Sequence, residues 1–201
     1  MSLFDLPART GSLVLASGSP RRQELLREAG FELVVAPQDV DETPRDGETP
    51  QALVRRLAEL KASSACERAR GACVIVAADT IVAKDGSSLG KPRDAAQAQA
   101  MLSLLSGAAH EVSTGVCLIA VAEDGARRTI SFVETTSVTF FELATADIEA
   151  YVASGEPMDK AGAYGIQGAG RALVRGIEGD YFNVVGLPVA RLLRELDALL
   201  P

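Results

Sequence analysis

A few charged residues stand where folding alone would not put them. Ser19 and Pro20 read as the N-cap and first residue of a helix, which leaves Arg21 and Arg22 in its first turn. The exposed N–H groups and the macrodipole at that end favour anions and disfavour cations. Gly18, Ser19, the free backbone donors and two guanidiniums together make a phosphate-sized anion site. The pair also reads as two solvated surface arginines. Lys61 is the second case: on a helical wheel it falls inside the apolar arc of Leu53, Val54, Leu57 and Leu60, with its ammonium toward the sheet side. The competing account is a lysine that packs its stem and snorkels its head into water.

Asp79 is the third. It lies in Cys73 to Ala83, otherwise nearly all apolar apart from Thr80, where a carboxylate costs several kcal/mol unless it is paired, hydrogen-bonded or metal-bound. An Asp79-Thr80 pair at the carboxyl end of a strand suits a divalent ion or an oriented water, while an aspartate capping the following turn is the alternative. Asp39, Asp41 and Glu42 form an acidic run that reads as a solvated loop face unless it folds back toward Asp79. Glu42 would then be a second metal ligand, matching the one or two protein carboxylates that magnesium takes.

Gly90-Lys91-Pro92 offers a lysine before a proline-restricted turn, and Asp159 to Gly168 offers Lys160 among glycines. Neither stretch matches the P-loop or dinucleotide fingerprints. Gln167, between Ile166 and Gly168, reads as buried and able to address a base edge with its paired donor and acceptor. The single His110 follows Ser106-Gly107 and reads as a turn or cap residue; no nucleophile elbow accompanies it.

The elements that must position these groups alternate early in the chain. Ser12 to Ser17 reads as a strand, followed by a helix to Gly30, a strand over Phe31 to Ala36 and a loop over Pro37 to Pro50. A helix capped by Thr49 runs to about Arg70, and Cys73 to Ala83 is a central strand interrupted at Asp79-Thr80. Asp94 to Leu105 is a further helix stopped by Gly107. Val112 to Val121 and Arg128 to Phe141 flank Glu123-Asp124-Gly125 as an antiparallel hairpin. Thr145 caps a short helix ending at Ser154-Gly155, two short strands follow the glycine-dense stretch, and Pro188 opens a final amphipathic helix. The class is α/β with a mixed central sheet and flanking helices, in one domain of two lobes over 1–201.

With 201 residues, 47% hydrophobic and 23% charged, the chain can bury a substantial core and is neither disordered nor collagenous. Cys66, Cys73 and Cys117 cannot all pair and form no C-x-x-C, so a disulfide framework and a zinc site are disfavoured and a reducing cytoplasm is expected. No leader or membrane span is legible. A net charge of −7, from 20 basic and 27 acidic residues, argues against duplex nucleic acid and anionic lipid as partners, and leaves room for a small anion.

Several ordered segments, among them Leu15-Ala16-Ser17-Gly18-Ser19-Pro20-Arg21-Arg22, Ala78-Asp79-Thr80, Leu89-Gly90-Lys91-Pro92, Ser113-Thr114-Gly115 and Glu156 through Gly168, resemble the Maf family of nucleoside triphosphate pyrophosphatases. Gly179-Asp180-Tyr181 and Val185-Gly186-Leu187-Pro188 agree, so the resemblance spans about Leu13 to Leu196. It implies hydrolysis of a nucleoside triphosphate between the α and β phosphorus atoms, with a divalent metal (Mg, Mn or Co). It also implies an elongated fold similar to inosine triphosphate pyrophosphatases, with the substrate in a cleft between two lobes, and a homodimer. The family's serine and arginines map to Ser17, Arg21 and Arg22, its helix lysine to Lys61, its aspartate to Asp79 and its Lys-Pro lysine to Lys91. On that mapping Asp79 is base or metal ligand, Glu42 a metal ligand, and Arg21, Arg22, Lys61 and Lys91 the phosphate cradle.

The late motif looks like the branch that prefers dTTP and UTP, with Arg21, Thr80 and Gln167 bearing on base choice. Two alternatives belong beside it: the branch acting on 7-methyl-GTP, and a nucleotide-binding regulator of cell division without turnover.

Overall fold

A computed structural model describes residues 2–200. Two compact units divide the chain. The first comprises the chain through Asp79, Thr114–Glu134 and the chain from Gly186 on; the second comprises Thr80–Ser113 and Thr135–Val185.

In chain order the elements are α1 (Leu6–Thr10), β1 (Leu13–Leu15), α2 (Pro20–Glu28), β2 (Leu33–Val35), α3 (Pro50–Arg68), β3 (Cys73–Lys84) and β4 (Ser87–Leu89). There follow α4 (Ala95–Leu105), β5 (Ala109–Val121), β6 (Arg127–Phe140), α5 (Thr145–Ala153), β7 (Val174–Glu178), α6 (Tyr181–Val185) and α7 (Val189–Leu199). The strand order is β2-β1-β3-β5-β6-β7, with β4 pairing β3. Strands β1 and β2, and β1 and β3, are parallel, while β3–β4 and β6–β7 are antiparallel, so the sheet is mixed as its early alternation and central hairpin predict. The turn joining β5 and β6 is closed by the Ala122 N–H donating to the Ala126 carbonyl, 2.9 Å.

In the first unit, one face of α3 meets the sheet through small side chains. Ala58, Ala62, Ala65 and Cys66 of α3 pack with Ala16, Cys73, Ile75, Ala77, Cys117 and Ile119. Small residues let the helix sit close to the sheet: a Cβ on Gly115 would lie 2.3 Å from the Val54 carbonyl oxygen. The second unit's core gathers Met101, Leu102, Leu105, Phe140, Tyr151 and Tyr164 around α4 and α5.

Several expectations change. Strand β3 runs unbroken through Asp79 and Thr80, because a polar pair costs a strand nothing in backbone hydrogen bonds. After the glycine-dense stretch there is one strand, β7, and then the helical turn α6, where the Asp180 carboxylate accepts from the Phe182 N–H at 2.8 Å and so opens a helix. Helix α5 starts on Ala144 without a side-chain cap, not on a Thr145 cap. The turn through Asp85 and Gly86, both at positive φ, folds β4 back on β3, a hairpin the reading of the sequence lacked.

Candidate active site

The site grows from the carboxyl end of β1. The parallel register sets Leu15 beside Val76, and the Ala16 N–H still donates to the Val76 carbonyl at 2.8 Å. Beyond it the chain leaves the sheet through Ser17 and Gly18, and continuing the same register brings Asp79 of β3 to that level. Ligands of open α/β sheets gather at such strand ends.

Helix α2 begins as the sequence predicts. The Ser19 side chain accepts from the Arg22 N–H, and Pro20 occupies the first turn. Arg22 is no solvated surface residue. Its Nε donates to the Gly186 carbonyl at 2.8 Å and its Nη1 to Ser17 Oγ at 3.0 Å. Ser17 is buried, and its hydroxyl also accepts from the Ser19 N–H at 3.3 Å. The guanidinium is held below its usual range, chiefly because protein replaces its hydration; Asp79 and Glu42 oppose that shift and Arg21 adds to it. Those couplings place Arg21, Arg22, Asp79 and Glu42 in one electrostatic cluster.

Lys61 does not snorkel. It is 9% exposed, and its Nζ donates to Asp79 Oδ1 at 2.6 Å and pairs with Glu42 Oε1 at 2.6 Å. Leu60, expected in the same arc, is instead 39% exposed. The acidic run therefore folds back through Glu42 alone. Asp41 turns on itself: the Thr43 side chain and N–H, the latter 3.0 Å from Asp41 Oδ1, hold its carboxyl below the ordinary range. Asp39 is exposed.

What fixes the loop carrying Glu42 is a pair of ties to α3. Arg56 donates from Nε and Nη2 to the two Glu48 oxygens at 2.6 and 2.7 Å, and Nη2 also reaches the Thr43 carbonyl at 3.1 Å. Ser64 Oγ donates to Gln38 Oε1 at 2.8 Å. The fork of Arg56 lowers the Glu48 carboxyl to about 2. Reading the sequence by motif misses Glu48 and Arg56. Their one local signal is an acidic residue just ahead of a helix cap with an arginine two turns inside the helix. It likewise misses the Gly186 carbonyl as the anchor of Arg22.

The remaining candidates belong to the second unit. Thr80 follows Asp79 on β3, with its side chain turned to the opposite face by the pleat. Lys91 is exposed, in a segment held by the Gly162 N–H donating to the Gly90 carbonyl at 3.1 Å. Gln167 is exposed rather than buried. Lys160 is a strut: its Nζ donates to the Glu156 carbonyl and to Asp159 Oδ1, both at 2.6 Å. His110 is no turn residue but buried at the start of β5, its Nε2 2.8 Å from the Tyr164 hydroxyl and its ring edge-on to Phe140 and Tyr164.

Cations gathered at a helix start with carboxylates in reach suit a polyanionic ligand, and beside parallel strands of a mixed sheet they mark a phosphate-handling α/β protein. Comparison with known families narrows the class. The model of the Maf-like protein family matches residues 12–199, and the chain belongs to that family. A dTTP/UTP pyrophosphatase of Bacillus cytotoxicus is 50% identical over 183 residues, covering 91% of this chain and 93% of that one. The protein of the same description from Bacillus thuringiensis is 51% identical over 186 residues, 92% and 93% of the two chains. Among solved structures, a nucleoside-triphosphatase (dITP/XTP pyrophosphatase) from Mycobacterium abscessus aligns over 94% of this chain and 98% of that one, with 16% identity and a TM-score of 0.37.

Proposed function

We propose that the protein hydrolyses dTTP and UTP between the α and β phosphorus atoms, releasing the monophosphate and pyrophosphate. The observation that carries this is the placement of Lys61 between Asp79 and Glu42, with Arg22 coupled to the same carboxylates. The half-identical relatives described as dTTP/UTP pyrophosphatases support the choice of substrate.

Breaking a phosphoanhydride needs charge neutralisation, an oriented water and a held leaving group. Asp79, held in place by the hydrogen bond from Lys61 Nζ, accepts a hydrogen bond from the attacking water and takes its proton. Arg21 and Arg22, with the N–H groups opening α2, hold the departing pyrophosphate, whose charge grows as the bond breaks. Lys91 adds a phosphate ligand, and Thr80 and Gln167 bear on the base.

A divalent cation fits the carboxylates. Asp79 and Glu42 already converge on one positive centre, at 2.6 Å each from Lys61 Nζ, and no larger cluster of His, Cys, Asp or Glu lies among the described residues. Magnesium, which keeps several waters and takes one or two protein carboxylates plus substrate phosphates, suits so sparse a donor set. When bound, it would neutralise phosphate oxygens.

The test is a nucleotide panel. Pyrophosphate release is measured with magnesium and dTTP, UTP, dCTP or 7-methyl-GTP. The proposal expects the highest kcat/KM for dTTP and UTP. A preference for 7-methyl-GTP, or binding without turnover, would overturn it.

A further inference from the structure

Gln167 stands at the head of a short 3-10 helix, Gly168–Leu173, whose first N–H groups find no acceptor in the Gln167 side chain, so they must be secured by something else. Glu156 does this. Its Oε2 accepts from the Ala169 N–H at 2.9 Å, and its Oε1 accepts from the Gly170 N–H at 3.2 Å and from the Tyr151 hydroxyl at 2.9 Å. The Tyr151 oxygen in turn accepts from the Gly165 N–H at 3.2 Å. Two side chains thus hold three backbone donors, one before Gln167 and two after it.

The glycines are the imprint of this clasp. A Cβ at Gly168 would lie 2.7 Å from Glu156 Oε2, and one at Gly170 would lie 2.3 Å from the Gly165 carbonyl oxygen and 2.6 Å from the Tyr151 hydroxyl. The segment has collapsed onto the carboxylate. Although burial raises it, the Glu156 carboxyl sits below its ordinary range because the Ala169 and Gly170 N–H groups, the Tyr151 hydroxyl and Lys160 outweigh that cost. The same segment, through Ile166, Gln167, Gly168 and Arg171, lines a recess of about 590 Å³ that Tyr181 also borders.

We infer that Glu156, acting with Tyr151, is a positioning residue for nucleotide selectivity, fixing the backbone from which Gln167 reads the base. The inference rests on the reading of the protein as a dTTP/UTP pyrophosphatase with Gln167 at the base. Only an ionised carboxylate offers acceptors to all these donors; an amide turns its NH2 against at least one of them.

The test uses the full chain and three forms: wild type, Glu156→Gln and Tyr151→Phe. Amide exchange is followed over 165–171, and kcat/KM is measured for dTTP, UTP and dCTP. Glu156→Gln is expected to speed exchange of that segment about tenfold and to reduce the dTTP-to-dCTP preference by a similar factor, exchange in α3 staying unchanged. Tyr151→Phe, which keeps the carboxylate, is expected to shift both readouts the same way by less, and decides the matter if Glu156→Gln does not fold. Unchanged exchange, or a loss of activity equal for all three nucleotides, overturns the inference. A wild-type protein inert toward every nucleotide overturns the underlying reading, and with it the selectivity role, while faster exchange in the variants would still mark the clasp.

Discussion

Buried charge is the residue-scale signature of this chain, and the two buried titratable side chains that stand out, Lys61 and His110, are buried for opposite reasons. On a wheel of about 100° per residue, Lys61 falls about 80° from Leu53, near the centre of the face that Leu53, Val54, Leu57, Ala58 and Ala65 bury, while Leu60 falls about 20° beyond the edge that Leu53 marks. That placement was legible because helical periodicity is local; that the head is paired rather than solvated was not, since Glu42 lies in an irregular loop. His110 shows the limit of reading a residue by its neighbours. Its 3% exposure comes from Tyr164 and Phe140, far away in the chain. Burial lowers its pKa to about 4, with the Lys84 charge adding to the effect, against 6.5 for a free side chain. The unfolded chain therefore binds the proton first as pH falls, and stability drains away between pH 6.5 and about 4, with no contribution above that window. At the acid end the loss amounts to about 3 kcal/mol. Urea denaturation of wild type and His110→Gln at pH 7 and pH 4.5 checks it: the variant, which keeps a partner for Tyr164 but does not titrate, is expected to lose less stability. Parallel losses would contradict the account.

At the scale of elements, α3 is the part that carries Lys61 to Asp79, and Gly115 on β5 sets how close it comes. The Ser113-Thr114-Gly115 segment was recognisable as a family motif, yet nothing local says why a glycine belongs in an extended strand. The reason is the Val54 carbonyl, 2.3 Å from where a Cβ would sit, a backbone atom that cannot yield unless the helix moves. Gly115→Ala is expected to cost about 1–3 kcal/mol, and to lower turnover by lifting Lys61 away from Asp79. Gly176→Ala, with open space around its Cβ, is the control for the melt and should leave stability unchanged. Thermal melts with a pyrophosphate assay distinguish the two, and a wild-type Gly115→Ala would show that helix spacing does not matter. The cap of α2 and the strand β1 were read correctly because cap residues and apolar runs act over a few positions. Strand β4 and helix α6 were missed although their signals are local, an Asp85-Gly86 hairpin turn and an Asp180 carboxylate that accepts from the N–H two residues on. They were missed because the apolar run was read as ending at Ala83 and the later stretch as strands.

Across the whole molecule, 27 acidic residues outnumber 20 basic ones, so a polyanionic ligand meets a chain that repels it everywhere except where cations are gathered. Arg21, Arg22 and Lys61 come from two helices of the first unit and gather with Asp79 and Glu42, the place proposed to receive the triphosphate. No helix among the described residues is long and apolar enough to cross a membrane. The central claim is that Asp79 activates water against a bound triphosphate. Phosphorus NMR of dTTP with magnesium, followed in time with wild type and Asp79→Asn at equal folded concentration, tests it most directly. The account predicts dTMP and pyrophosphate from the wild type and a rate about 10²- to 10⁴-fold lower from the variant. Release of dTDP and inorganic phosphate, or an Asp79→Asn rate close to wild type, would contradict it.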